Sequence, residues 1–349
     1  MNQILTLSGC EDYPRSLTGD NQYVHWQWLE EGIVKIVPRD KSLASDTKQI
    51  LLSTGIHGNE TAPIEMVAQL VAQLLNGELP LAVNLLVLFG NIRAIEQGQR
   101  YLDVDLNRLF NGRHQQYPDT VESERAIVIE QHVMRFFNSA DSKQCFHFDM
   151  HTAIRGSHYQ KFAVIPQRLG TQQTCYLDWL ITMGLQALVI NSTPSGTFSS
   201  FTHCSCNVVS STLELGKAKP FGNNDLASFS DINRTLIELM SDVPIGGKGK
   251  APEIFVVGKE LTKLSDQFTF IAVDDNVENF TSYPSGTLIA TDGEVSYRVN
   301  QQTEWILFPN PLVKKGLRAG ILLAKGGMED LYPLPINMQK SARREVSRF

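Results

Sequence analysis

Within Gly55-Ile56-His57-Gly58-Asn59-Glu60, an imidazole and a carboxylate stand three residues apart, which brings both side chains to one side of a single turn. Together they suit a zinc ion, which takes nitrogen and oxygen donors. Gly55 and Gly58 permit a tight turn with close backbone approach. Alone, the pattern H-x-x-E is common by chance, and a surface turn explains it. A third donor gives it weight, and His147-Phe148-Asp149-Met150-His151 offers one. On a strand, residues 147, 149 and 151 face the same way. His151, at the end of that strand, is the expected third ligand, 91 residues beyond Glu60. Two His and one Glu leave a fourth position for water, the pattern of a catalytic rather than a structural zinc. Asp149 can orient a ligand imidazole from behind. The bland alternative is a buried His151 bonded only to backbone. His147 reads as a core histidine, and His25, His114, His132, His158 and His203 show no ligand spacing.

Glu214 closes the apolar run Ser211-Thr212-Leu213-Glu214-Leu215-Gly216. A carboxylate there is costly to bury unless it is paired or protonated. It is either a general base with a raised pKa or one half of a salt bridge, with Lys217 as the nearest partner. Between the two histidine motifs lies Arg100-Tyr101-Leu102-Asp103-Val104-Asp105-Leu106-Asn107-Arg108-Leu109-Phe110. Its two arginines and Asn107 could clamp a carboxylate, since the planar guanidinium suits bidentate contact. Taken alone, the stretch reads as ordinary surface ion pairs rather than a clamp.

These groups need a scaffold. Residues 32–37, 49–54, 83–89, 145–151, 162–165, 185–191 and 208–215 are short apolar runs, expected as strands. Residues 61–75 carry Ile64, Val67, Leu70, Val71, Leu74 and Leu75 at helical spacing, with Pro63 in the first turn. Residues 122–137, 172–183 and 226–240 also read as helices. Strands alternating with helices point to an α/β layered domain. The texture changes at the Pro/Gly/Lys linker 243–251. Beyond it, short runs at 253–257, 268–272, 287–290, 304–307 and 319–324 read as a small β-rich domain. The expected division is 1–248, 249–337 and a polar tail at 338–349.

The 349 residues are 42% hydrophobic and 19% charged, enough apolar material for a large core. Thirty-one basic against 37 acidic residues give a net charge of −6, which argues against a nucleic-acid partner. The longest apolar stretch, 81–90, is half of the roughly 20 residues needed to span a bilayer, and the N-terminus carries no signal-like pattern. Cys10, Cys145, Cys175, Cys204 and Cys206 are too sparse for a disulfide framework, so a reducing cytoplasm is expected. Cys204-Ser-Cys206 reads as structural.

Taken together, G-x-HGNE, RYxDxDLNRxF, DMHTA and TLELG resemble the succinylglutamate desuccinylase/aspartoacylase family, a branch of the carboxypeptidase-A-like zinc hydrolases. The resemblance runs from about residue 50 to 225. The stretch TLELGKAKPFGNNDL and the chain length stand nearer the succinylglutamate branch. It implies a three-layer carboxypeptidase-like α/β domain with a mixed central sheet, and a smaller β-rich C-terminal domain that narrows the site. It implies one Zn²⁺ per chain on His57, Glu60 and His151. It makes Glu214 the base and then the acid, and Arg100 the group that polarises the scissile carbonyl. Asn107 and Arg108 would grip a substrate carboxylate. The implied reaction is hydrolysis of N-succinyl-L-glutamate to succinate and L-glutamate, closing the arginine succinyltransferase route of arginine catabolism. The rivals are a deacylase of other N-acyl acidic amino acids, such as N-acetylaspartate, a peptide-cleaving metallocarboxypeptidase, and a non-catalytic metal-binding module. The expected partner is a small anionic substrate, with no membrane and no nucleic acid; a homo-oligomer stays open. A substrate with three carboxylates also needs local positive charge, for which Arg93, Arg155, Lys217 and Lys219 lie near in sequence without an assigned role.

Overall fold

Runs such as QILLST and NLLVLF are apolar on both sides, so as strands they must be covered on both faces. The computed structural model, which describes residues 3–10, 12–40, 48–138, 144–166, 174–191, 193–245 and 249–332, places them at the centre of a mixed sheet. The first part runs α1 (Gln3–Leu7), β1 (Thr18–Asp20), β2 (Val24–Glu30), β3 (Ile33–Pro38), β4 (Gln49–Thr54), α2 (Thr61–Leu75), β5 (Asn84–Phe89), α3 (Ile92–Glu96), α4 (Val121–Asn138), β6 (Cys145–Ala153), β7 (Lys161–Ile165), α5 (Thr174–Thr182), β8 (Ala187–Ile190), α6 (Phe198–Cys206), β9 (Val209–Lys217) and α7 (Ser230–Met240). The second part adds β10 (Glu253–Thr262), β11 (Thr269–Phe270), β12 (Ser282–Pro284), β13 (Leu288–Asp292), β14 (Val295–Arg298), β15 (Thr303–Leu307), β16 (Arg318–Lys325) and α8 (Met328–Leu331).

Thirteen strands form one sheet in the order β1-β2-β3-β5-β4-β6-β9-β7-β8-β10-β16-β15-β12, and β11-β13-β14 form a second. At its centre β5, β4, β6 and β9 are parallel, flanked by antiparallel β3 and β7. Successive side chains of a strand point to opposite faces, and β4 shows the consequence. Ile50 and Leu52 join α2, α5 and α7 through Ile64, Val67, Leu70, Leu180 and Leu236. Leu51 joins α4 and α6 through Ile129, Val133, Phe198 and Phe201. The result is three layers, helix on sheet on helix. Each such buried aliphatic or aromatic side chain contributes about 1.5–3 kcal/mol.

The sheet continues across the linker, because β10 pairs with β8 in parallel, Glu253 beside Ala187 through Val256 beside Ile190. Phe162, Val189, Phe255, Phe280, Leu307 and Leu323 pack into one cluster that joins the β-rich part to the rest. Its second cluster, around Leu261, Ile289, Ile306 and Leu322, lies between the two sheets.

Most expected elements are present, and three findings adjust the reading. The helix expected at 226–240 opens as a 3₁₀ turn, Leu226–Phe229, before α7. Strand β2 is not among the expected strands, although Val24, Trp26 and Trp28 alternate inward against outward His25 and Gln27. Helix α6 is not among the expected helices because FSSFTHCSC has no aliphatic period; Thr197 caps it, its side chain accepting from the Ser200 N–H. Residues 172–173 of an expected helix, 246–248 of the linker and the tail 338–349 lie outside the described residues.

Candidate active site

Strand β4 ends at Thr54, and the chain turns through Gly55, at φ +68°, towards α2. A Cβ on Gly58 would stand 2.2 Å from the carbonyl carbon of Ala94, so only glycine lets this loop lie against α3. The Gly58 N–H donates to the Arg100 carbonyl at 3.1 Å, tying the two motifs together. His57 and Glu60 thereby face His151 on β6, all three buried. Their donor atoms lie within 4.8 Å of one another. His57 Nδ1 is 2.8 Å from Glu60 Oε1, and His151 Nδ1 is 2.9 Å from Glu60 Oε2. The far nitrogens are held from behind. His57 Nε2 meets Asp105 Oδ1 at 3.0 Å, and His151 Nε2 meets Asp149 Oδ2 at 3.0 Å. Both imidazoles are therefore fixed at Nε2 and present Nδ1 to one point. Carboxylate-backed histidines converging with a third carboxylate are the usual construction of a metal site.

The electrostatics agree. Burial pushes the Glu60 carboxyl up, but His57 and His151 override it and hold it well below the usual range. Burial pushes His151 down, yet Asp149 and Glu60 hold it well above. His57 Nδ1 is buried and makes no aligned hydrogen bond despite its nearness to Glu60. A divalent cation is the partner that such a donor set fits, and two nitrogens with a carboxylate suit zinc.

Behind this cluster runs a buried chain of bonds. The Ser53 hydroxyl donates to Asp149 Oδ1 at 2.5 Å and lies 2.8 Å from His147 Nε2. Because the serine proton goes to Asp149, a neutral His147 donates from Nε2; its Nδ1 lies 2.8 Å from Thr202 Oγ1, whose hydroxyl also reaches the Ser199 carbonyl at 3.1 Å. Burial pushes His147 down to about 4, with Asp149 partly opposing. It is a neutral core histidine, as expected.

Glu214 sits on β9 in register with His151 on β6. It is 8% exposed, and its Oε2 is buried without a hydrogen-bond partner. Burial pushes its carboxyl up to about 7, with His151 opposing and Glu60 adding. Lys217 is exposed, and among the described residues Glu214 has no ion pair. Arg100 Nη1 donates to Glu60 Oε1 at 2.8 Å. Arg100 and Arg108 each lie 3.9 Å from Asp105 Oδ2. Asn107 Oδ1 accepts from the Phe198 N–H at 2.9 Å, leaving its NH₂ group for another partner. All seven residues singled out in the sequence thus gather at the carboxyl ends of β4, β6 and β9 or in the 100–108 segment beside them, where open α/β sheets place their sites.

A sequence model of the succinylglutamate desuccinylase/aspartoacylase catalytic domain matches residues 46–240. A second, of the barrel-sandwich hybrid domain found with it, matches residues 250–326. The chain belongs to this family. It is 44% identical over 322 residues, 92% of this chain and 96% of the other, to a succinylglutamate desuccinylase of Yersinia pestis (strain Pestoides F). The crystal structure of the succinylglutamate desuccinylase from Chromobacterium violaceum is 38% identical, covers 94% of this chain and 98% of its own, and gives a TM-score of 0.77. That from Vibrio parahaemolyticus is 27% identical, covers 93% and 95%, and gives 0.83. Family membership brings the three-layer α/β domain and the β-rich C-terminal domain that the motifs implied.

Two further residues beside this site were given no role by the motifs. Asp105 sits within the arginine-rich stretch, but nothing in its spacing links it to His57, 48 residues away. Glu122 opens α4, is fully buried, and accepts from the N–H groups of Leu102, Asp103 and Val104 and from Asn91 Nδ2. It shapes the segment that carries Arg100 and Asp105. A Glu in the first turn of a helix is ordinary, so only the fold reveals it. Of the unassigned cations, Arg93, Lys217 and Lys219 are exposed, and Arg155 is spent on carbonyls of residues 274, 275 and 277. Among the described residues one three-donor metal group exists, and it does not include Cys204 or Cys206, which are unpaired in the last turn of α6.

Proposed function

We propose that the chain is a zinc-dependent amide hydrolase that cleaves N-succinyl-L-glutamate to succinate and L-glutamate, closing the arginine succinyltransferase route. One observation carries the reading: a buried carboxyl with an unpartnered oxygen, Glu214, stands in register beside His151 of a converging His–Glu–His set. Metal binding alone needs no such group. The relatives named succinylglutamate desuccinylase support the choice of substrate.

His57 and His151 through Nδ1, with Glu60, would hold one zinc ion. Bound there, zinc supplies Lewis acidity, polarising a carbonyl and drawing the pKa of water from 15.7 towards ~7. Glu214 takes a proton from the attacking water at Oε2 as the water oxygen bonds to the succinyl carbon. It then delivers that proton to the amide nitrogen as the C–N bond breaks, because an amine leaves poorly as an anion. Arg100 faces the negative charge that develops on the carbonyl oxygen. The NH₂ of Asn107 and the guanidinium of Arg108 hold a substrate carboxylate. We take residues 1–248 as the hydrolase domain and 249–337 as the domain that narrows its mouth. Among the described residues the five cysteines form no disulfide, which suits a reducing compartment, and we place the reaction in the cytoplasm.

The test is Glu214→Gln. It is expected to bind one zinc per chain and to lose at least about 1,000-fold in kcat. Near-normal turnover would remove Glu214 from the chemistry.

A further inference from the structure

The proposed substrate carries three carboxylates, and the positive charge so far assigned is already shared. Arg100 is bonded to Glu60, and both Arg100 and Arg108 lie 3.9 Å from Asp105. One further guanidinium reaches this place from the C-terminal part of the chain. Strands β8 and β10 run parallel, so the loop leaving β8 and the far half of β10 lie at the same end of the sheet. That loop packs directly on the clamp: a Cβ on Gly196 would stand 2.3 Å from the Arg108 carbonyl oxygen, and the Phe198 N–H bonds Asn107. Arg318 begins β16 opposite Thr262, the last residue of β10, at that same end. Its side chain is 20% exposed and bonds Glu260 Oε1 at 3.2 Å. Burial and then the positive charge of Arg108 push Arg318 down, while Glu260 and Asp105 push it up, so the two guanidiniums feel each other.

Two like charges from different parts of the fold, brought to the same end of the sheet and each only partly met by a carboxylate, are relieved further by an anion between them. We propose that Arg318 is a substrate-binding residue, which with Arg108 holds a carboxylate of the N-acyl amino acid from the C-terminal side. The inference rests on the amide-hydrolase reading above and extends it: the C-terminal part does not merely narrow the mouth but supplies a cation to the substrate. An acyl amide with no carboxylate would leave this pair without its anion, which favours anionic substrates.

The test compares zinc-loaded wild type with Arg318→Met and Arg318→Lys on N-succinyl-L-glutamate, with zinc content and melting temperature recorded. A lost charge-assisted contact is expected to raise KM about 10- to 100-fold in Arg318→Met. The rise is expected to be smaller in Arg318→Lys, with kcat within about threefold and one zinc per chain in both. Arg318→Lys keeps the charge and the stem, so it answers the question if the Met variant does not fold. A KM within twofold of wild type in a folded Met variant, or in the Lys variant where only that one folds, overturns the assignment. If wild type does not hydrolyse this substrate, the function reading has failed separately. The same variants are then titrated calorimetrically with succinate and with L-glutamate. Weaker binding of either product in a variant supports Arg318, and unchanged or undetectable binding throughout overturns it.

Discussion

Glu122→Ala should damage the site from a position that touches neither the metal donors nor Glu214. The carboxylate is fully buried and accepts four hydrogen bonds, from Leu102 N at 2.7 Å, Asn91 Nδ2 at 2.9 Å, Asp103 N at 3.1 Å and Val104 N at 3.2 Å. A hydrogen bond to a charged group contributes about 1.5–3 kcal/mol, and a buried donor left bare costs about 1–3 kcal/mol. The freed amides can turn to water, so the four do not add, and a loss of about 3–5 kcal/mol is expected. At about 1.4 °C per kcal/mol for a chain of this size, Tm falls by roughly 4–7 °C. The functional effect is larger. Arg100 and Asp105 flank the clamped amides, and a shift of about 1 Å in such groups costs on the order of 100-fold in rate. Glu122→Gln keeps the shape but not the full acceptor capacity, so it falls between the two. The assay is thermal melting together with kcat/KM and zinc affinity on each variant. A Glu122→Ala protein with wild-type Tm and wild-type kcat/KM would refute the reasoning.

Three further outcomes are expected. Asp149→Asn, and separately Asp105→Asn, weaken zinc binding about 10- to 100-fold by loosening the imidazoles they hold, measured by competition with a chelating dye; unchanged affinity in both would show the imidazoles are fixed by other contacts. Gly58→Ala forces its Cβ into the backbone of Ala94 and Ile95, at 2.2 and 2.3 Å, so zinc content falls well below one per chain; a fully loaded variant would show that the loop can give way. His147 is neutral when folded, at about 4 against 6.5 for the free group, so its contribution is complete above about pH 6.5 and is lost as pH falls towards 4. The difference amounts to about 3 kcal/mol, and His147→Gln should flatten the fall of Tm over that window; an identical slope would contradict it.

The converging His57, Glu60 and His151 were legible because chemistry and strand geometry leave a mark on sequence. His57 and Glu60 share one turn, and His151 lies near the end of a strand whose alternate residues carry Asp149 on the same side. Glu214 was legible as a costly carboxylate in an apolar run; only the fold shows that Lys217 stands at the surface and is not its salt-bridge partner. The role of Asp105, which the motif contains, and Glu122 and Arg318 altogether were not legible. Each acts across a gap in sequence that only the sheet order closes: 48 residues for Asp105 to His57, 18 to 20 for Glu122 to its amides. The layered α/β organisation followed from runs such as 49–54, whereas α6 hid behind a Ser/Thr/Cys composition with no apolar period.

The most direct test of the central claim is amine release from N-succinyl-L-glutamate and N-acetyl-L-aspartate, measured side by side on purified, zinc-loaded protein and on the same protein stripped by a chelator. Release from the succinyl substrate alone, lost on stripping and restored by zinc, is the expected result. Release from the acetyl substrate alone, from neither, or undiminished after the metal is gone would contradict it.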